Sequence, residues 1–382
     1  MSKILSKIGT QINAPTYEYY CDTMADKDKI DPRQITLGST CVVIEGASGG
    51  IEGYIANSNK EWILLGSFGG NSSNSEEPIV DNSITIQSMD VLSALMNSND
   101  NLSVKLNDNL TLSNTFSIPE GKEVKINLNN KNITTSTTLF DVNGGTLILE
   151  GNGIVNAGGN IAYAYNGGKV VVNGGTYDST ADNFGIGALG NDSIIEFNGG
   201  ELSTTEGGIM AFDGGEIVMN GGTIHTRDNF AIGTNGSDGR GGNTITMNGG
   251  TIDAHITSNG YEAIGIYLPN DDTFVMNGGE INVVEGAGIV QRGGSCTIND
   301  GTITVTGAAG KTGWVGDNKT KMSESAIIYH QSANYPAVDT IQLTINGGTF
   351  TGLDHSLEVL TNEENPRITI TGGTFNPAYP EE

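Results

Sequence analysis

Apolar residues recur along this chain in short alternating runs, each ending in Asn-Gly-Gly-Thr or a near variant. Ten such segments align on one template, with the anchor at Asn129, Asn152, Asn173, Asn198, Asn220, Asn248, Asn277, Asn299, Asn346 and, in altered form, Thr371. One residue before the anchor stand Leu128, Gly151, Val172, Phe197, Met219, Met247, Met276, Ile298, Ile345 and Ile370. Three before it stand Ile126, Leu149, Val170, Ile195, Ile217, Ile245, Phe274, Cys296, Leu343 and Ile368. Alternation with a period of two is the strand pattern, so both columns point to one face. Another apolar column follows four residues after the anchor, through Ile133, Tyr177, Leu202, Ile224, Ile252, Ile281, Ile303, Phe350 and Phe375. The glycine pair between the two runs supplies positive φ, which glycine adopts at no steric cost.

A third run, rich in small residues, follows in most repeats, as at 161–165, 184–188, 208–212, 263–267 and 326–329. Small side chains suit a corner where backbones of successive repeats approach closely. The anchors lie 21 to 29 residues apart, with one step of 47 between Asn299 and Asn346. Self-similarity at this period predicts a solenoid whose coils bury their apolar side only by stacking. Three strands per coil predict an all-β fold, a right-handed parallel β-helix of about ten coils. The left-handed hexapeptide form needs shorter, more regular coils.

The coil pattern resembles the right-handed parallel β-helix of the pectate lyase-like superfamily, which includes phage tailspikes and fibres. The resemblance covers residues 122–376. It implies a hydrogen-bonded ladder of stacked Asn side chains from Asn129 to Asn346, with Thr371 as the departure. It implies a fold and leaves chemistry open, because this scaffold hosts lyases, hydrolases, adhesins and inert fibres.

Residues 1–66 lack the repeat and read as a small β-rich domain of three or four strands. A polar stretch over 24–32 predicts a short helix, and the runs 49–56 and 60–65 predict a hairpin around residues 57–59. The phrase from Tyr54 to Trp62 resembles a module at the start of phage virion proteins, which implies attachment to other virion proteins through residues 1–66. Residues 67–80 form a Gly/Ser/Asn-rich linker. Within 81–121, Val91, Leu92, Leu95 and Met96 share one face of a predicted helix with Ser88 as N-cap, suited to capping the open first coil. At residues 377–382, two prolines stop the strand ladder. A partner copy, as in a homo-trimer, would shield that end.

Charge narrows the function classes. With 18 basic against 44 acidic side chains the net charge is −26, which opposes binding to nucleic-acid phosphates. No run of about 18 apolar residues and no leader pattern occurs, so the expectation is no membrane span and synthesis in a host cytoplasm followed by display on a virion surface. Three cysteines, Cys21, Cys41 and Cys296, make no disulfide framework; Cys21 and Cys41 pair only if their strands are neighbours. Four scattered histidines and no Cys-x-x-Cys give no metal or cofactor signature.

Candidate chemistry is sparse. Asp271 with Asp272, Glu363 with Glu364, and Asp238 beside Arg240 sit among turn formers, where acidic residues are expected for backbone reasons. The insertion in the 47-residue step holds Trp314 near Lys311, Lys319 and Lys321, with Tyr335 beyond. Insertions on one coil often carry a binding face, so Trp314, Lys311, Lys319 and Tyr335 are the candidate glycan-binding residues. The resulting expectation is a non-enzymatic phage fibre or decoration protein, with a tailspike-type polysaccharide lyase or hydrolase and a bacterial surface adhesin as alternatives.

Overall fold

The computed structural model describes residues 3–10, 15–31, 33–35, 39–45, 51–56, 60–68, 84–86, 88, 92, 96, 100–255, 263–307, 313–315, 320–331 and 337–379. The chain is an all-β parallel β-solenoid of about 12 turns with three sheets and only 3% helix. It divides into two compact units, Met1–Leu110 with Val124–Lys131, and Thr111–Glu123 with Asn132–Glu382.

The first unit contains a five-stranded sheet in chain order, Lys3–Thr10, Pro15–Thr23, Thr40–Glu45, Ile51–Ala56 and Trp62–Phe68. The second and third strands run parallel, joined by a crossover that contains the helix Met24–Lys27; the other neighbours are antiparallel. The expected hairpin is present, with Ile55 opposite Ile63 and Ala56 opposite Trp62. Tyr19, Cys21, Ile30, Ile35, Cys41, Val43, Tyr54 and Ala56 make its core, and Trp62 meets Tyr19 edge to face at 5.7 Å. Cys21 and Cys41 do lie on neighbouring strands, with their free thiols 3.6 Å apart and fully buried.

The same unit holds further parallel strands. Leu102–Leu106 pairs with both Ile84–Ile86 and Glu123–Asn127. The first two strands carry no Asn-Gly-Gly anchor, which is why the template undercounts the coils. Of the expected capping helix, Leu92 and Met96 are helical and buried, and the Leu92 amide donates to the Ser88 carbonyl at 3.2 Å. Val91 and Leu95 lie outside the described residues, as does the linker beyond Phe68.

In the second unit each coil contributes a strand to three parallel columns. The first two columns share one continuous sheet, and the third is a ten-stranded sheet from Phe116–Pro119 to His355–Leu360. Register is kept residue for residue: Ile217, Ile245, Phe274, Cys296 and Leu343 pair in sequence, as do Met219, Met247, Met276, Ile298 and Ile345. All are buried to within 1%. Each such side chain stabilises by roughly 1.5–3 kcal/mol when removed from water. The inward columns end in the open at the last coil, where Ile370 is 37% exposed.

The asparagine ladder runs from Asn173 to Thr371. Each Nδ2 donates to the Oδ1 one coil earlier, at 2.7–2.9 Å for Asn198, Asn220, Asn248, Asn277, Asn299 and Asn346, and Thr371 donates to Asn346 at 3.0 Å. The ladder is exposed along its length. Asn129 departs from it: with φ at +47° its Nδ2 donates instead to the Leu106 carbonyl. Of each glycine pair only the second needs positive φ, as at Gly200 (+94°) and Gly222 (+80°). A Cβ on Gly222 would lie 2.6 Å from the Gly200 carbonyl oxygen, so the coil spacing itself excludes a side chain there.

Two outcomes follow. Ile245→Ala is expected to lower the melting temperature more than Asn248→Ala, because an inward cavity costs about 2–5 kcal/mol while two exposed ladder bonds are worth about 1 kcal/mol each. The reverse order would show the ladder, and not the core, to hold the coils. Mild oxidation of the intact chain is expected to leave the peptides carrying Cys21 and Cys41 unlinked, since Cys21 stands opposite Val43 and Cys41 opposite Tyr19, a two-residue offset that keeps the Cα atoms about 7–8 Å apart and beyond disulfide reach, and burial raises both thiols; a linked pair on peptide mapping would contradict that register.

Candidate functional site

Third-sheet strands spend two successive residues on the core, a small one and an isoleucine: Gly185 with Ile186, Gly208 with Ile209, Ala231 with Ile232, Gly265 with Ile266, Gly288 with Ile289, and Ala326 with Ile327. A Cβ on Gly208 would approach the Ala231 carbonyl to 2.3 Å, and one on Gly288 the Ala326 carbonyl to 2.4 Å. The small residues thus sit where the corner is tightest. The residues flanking each pair are then left on the outer face, and many of them are aromatic.

Phe184 and Phe230 occupy one outer column, and Tyr163, Met210 and Tyr267 the other. The second column alternates large residues with glycine, since Tyr163 pairs with Gly187 and Met210 with Gly233. A Cβ on Gly187 would lie 2.4 Å from Phe184 Cε2 and 2.9 Å from Tyr163 Cδ2. A Cβ on Gly233 would lie 2.7 Å from Phe230 Cδ2. Each phenylalanine therefore lies down over a glycine floor.

The two platforms have different surroundings. Phe230 stacks on Tyr267 at 5.9 Å and 21°, within a cluster that includes Ile264, Ala287, Val290 and Ile328, all at most 7% exposed. Phe184 is half-buried, with Tyr163 at 5.9 Å and Phe212 at 5.4 Å, and Tyr165 continues the row 5.8 Å from Tyr163. Acidic groups border this open platform on both sides. Glu206, Asp228 and Asp182 lie at the strand starts, where burial and then the Asp228 charge raise the Glu206 carboxyl above its ordinary range. At the other edge Asp141 accepts from the Tyr165 hydroxyl at 3.3 Å, and Asp213 Oδ2 pairs with Arg240 at 2.7 Å. Burial, followed by the nearby Asp213 charge, pushes the Tyr163 phenol up.

The insertion residues fare differently. Trp314 lies in a two-stranded antiparallel arm, Gly313–Val315 against Thr320–Met322, opposite Lys321. Lys311, Lys319 and Tyr335 lie outside the described residues.

A second constellation crosses four coils of the second column. His225 places Nε2 3.3 Å from Glu201 and Nδ1 3.4 Å from Asp253, and Asn282 donates to the same Asp253 at 3.1 Å. Its signal was available in the outward column five residues after the anchor, which holds His225 and Asp253 in register. Among the described residues no group of three or more His, Cys, Asp or Glu is arranged to hold a metal ion. No helix among them is long and apolar enough to cross a membrane.

The acidic pairs noted in the sequence are engaged in turn bonding. Asp272 is buried and accepts from Asn243 Nδ2 at 2.7 Å and from the Thr234 hydroxyl, while Asn243 Oδ1 accepts two backbone amides. Asp271 accepts from the Gly242 amide at 3.1 Å. Arg240 pairs with Asp213 one coil earlier, and Glu363 accepts from Gln331 at 2.8 Å. At the edge of the third sheet, burial and then the Arg292 charge push His330 down to about 4.

Comparison of the chain with protein-family models, with curated proteins and with solved structures finds no match.

His330 generates a pH prediction. Its folded value lies below the ordinary 6.5, so the unfolded chain binds the proton more readily and stability falls as pH drops from about 6.5 to about 4. His330→Gln is expected to flatten the decline in melting temperature across that window; an unchanged profile would show that His330 does not carry it.

Proposed function

We propose that this chain is a structural projection of a phage particle, a fibre or decoration protein attached to other virion proteins through residues 1–66. The observation that carries the reading is the inward stack, in which most described coils before the last bury Ile, Val, Leu, Met, Cys or aromatic side chains at their core positions. Such a stack makes each coil depend only on its neighbours, and so gives a stiff element whose outer face is free to vary. The finer assignment belongs to the same reading: a right-handed helix of the pectate lyase-like kind, assembled as a homo-oligomer on the virion surface. The small five-stranded sheet in the first unit supports an attachment role, in keeping with the resemblance of residues 54–62 to virion modules.

One observation favours a second reading, a polysaccharide lyase or hydrolase. Glu201, His225 and Asp253 bring an imidazole between two carboxylates on an open strand face, the residue types used for proton transfer to and from sugars.

Immunogold labelling of particles carrying the full chain tests the first reading. Label on intact particles is expected, and its loss when residues 1–66 are deleted; particles free of label would contradict it. Incubation of host capsular polysaccharide with the chain separates the second, since only an enzyme releases new reducing or unsaturated ends, and His225→Ala would abolish them.

A further inference from the structure

From the first column of strands we infer a further activity, ice binding: the outward face between Thr244 and Thr344 orders water in a lattice and adheres to the surface of an ice crystal. This activity is separate from the projection reading and does not need it.

Three observations carry it. First, the face changes character part-way along one column. Outward positions bring one charge to each of three successive coils, through Lys169, Glu196 and Glu216. The next four coils bring none at the same positions. The preference of threonine and valine for strands explains such residues on a sheet surface. It does not explain why the charges stop at one coil in a chain of net charge −26, where exposed charge maintains solubility.

Second, the surface repeats in two directions. One outward column reads Thr246, Val275, Thr297 and Thr344, each directly opposite the next. The column beside it reads Thr244, Thr273, Ser295 and Gln342 in the same register. All eight residues are exposed or half-buried. Successive coils lie about 4.8 Å apart, and the two columns, two residues apart along each strand, about 6.6 Å. Both repeats are close to those of water oxygens on a prism face of ice. The 47-residue step leaves them intact, because its extra residues fall between Thr306 and Gln342 and Thr297 still faces Thr344.

Third, the chemistry suits an ordered water layer. A hydroxyl donates once and accepts twice, so it can stand in for a lattice water. Threonine is stiff at χ1, which limits the poses of its methyl and hydroxyl groups from row to row. The Ser295 hydroxyl donates to the Thr273 hydroxyl at 3.3 Å, so the polar groups already link along the column. Next to the two columns, the ladder amides of Asn277 and Asn299 each spend one N–H and one lone pair on their neighbours, and keep a second of each for water. Wide sheets stay flat where side-chain ladders hold them, so the same ladder maintains the plane. Asp271, Glu280 and Asp300 lie outside these strands. The face needs no rearrangement to meet a crystal, which lowers the ordering cost of binding.

The test places the intact purified chain in a nanolitre osmometer and in an ice-recrystallisation assay, beside an acidic globular protein of equal size. A gap between the melting and freezing points of ice that grows with concentration, faceted crystals and suppressed recrystallisation are expected. Thr297→Lys and Thr344→Lys should each shrink the gap by about fivefold or more, because an ammonium keeps its own hydration shell and lifts the face from the lattice. The thermal unfolding of both variants should match that of the parent chain. Glu196→Gln, earlier in the same column, should leave the gap unchanged. A readout without variants comes from fluorescently labelled parent chain, which a slowly growing ice crystal should take up while excluding the labelled control protein. No gap and no uptake, a gap indifferent to both lysine variants, or one lost equally with Glu196→Gln overturns the inference. So does self-association in sedimentation that Thr297→Lys abolishes while ice is unaffected by the parent chain, since the face would then be a contact between copies.

Discussion

Parallel pairing of each coil with the next, in register, is the constraint on which the rest of the solenoid depends. Because side chains alternate along a strand, a slip of one residue would turn Ile245 and Met247 outward and set Thr244 and Thr246 inside. The apolar columns therefore hold the register, and the register in turn places Asn beside Asn and Gly beside backbone. The exposed ladder is a consequence of that alignment more than its cause. Its bonds, each worth about 1 kcal/mol, reinforce a spacing that burial of the inward columns already enforces.

That constraint also explains the distribution of glycine. Where a coil turns after the anchor, the second glycine of each pair combines positive φ with a backbone contact too close for a Cβ, as at Gly222. Gly187 and Gly233 serve a different purpose: there a neighbouring ring, and not the backbone, occupies the space. One residue type thus sets the corner geometry in one column and shapes a surface in another.

Most of the fold was legible in the sequence because the inward columns obey a strict period. Ile217 to Leu343 and Met219 to Ile345 stand where alternation puts them, and Asn173 to Asn346 form the ladder that the resemblance implied. The coil number was undercounted because Ile84–Ile86 and Leu102–Leu106 pair without an anchor. The surface was less legible. Phe184 and Ile186 have the same parity, so simple alternation assigns both to the core; the extra inward residue Gly185 breaks the pattern and turns Phe184 outward. Likewise Glu201, His225 and Asp253 come from three separate repeats and became neighbours only through register. Arg240 bonding to Asp213 in place of the adjacent Asp238 has the same origin.

The central claim is that successive repeats stack with one coil per step. Spin-label distances along the outward column of Thr176, Glu201, Thr223, Thr251, Glu280, Thr302, Thr349 and Thr374 test it most directly. With one label on Thr176 and the second moved along the column, the separation should grow by about 4.8 Å per coil, independent of how many residues each coil contains, including across the 47-residue step. Distances that track sequence separation, or that stop increasing part-way along the column, would contradict the stacked solenoid.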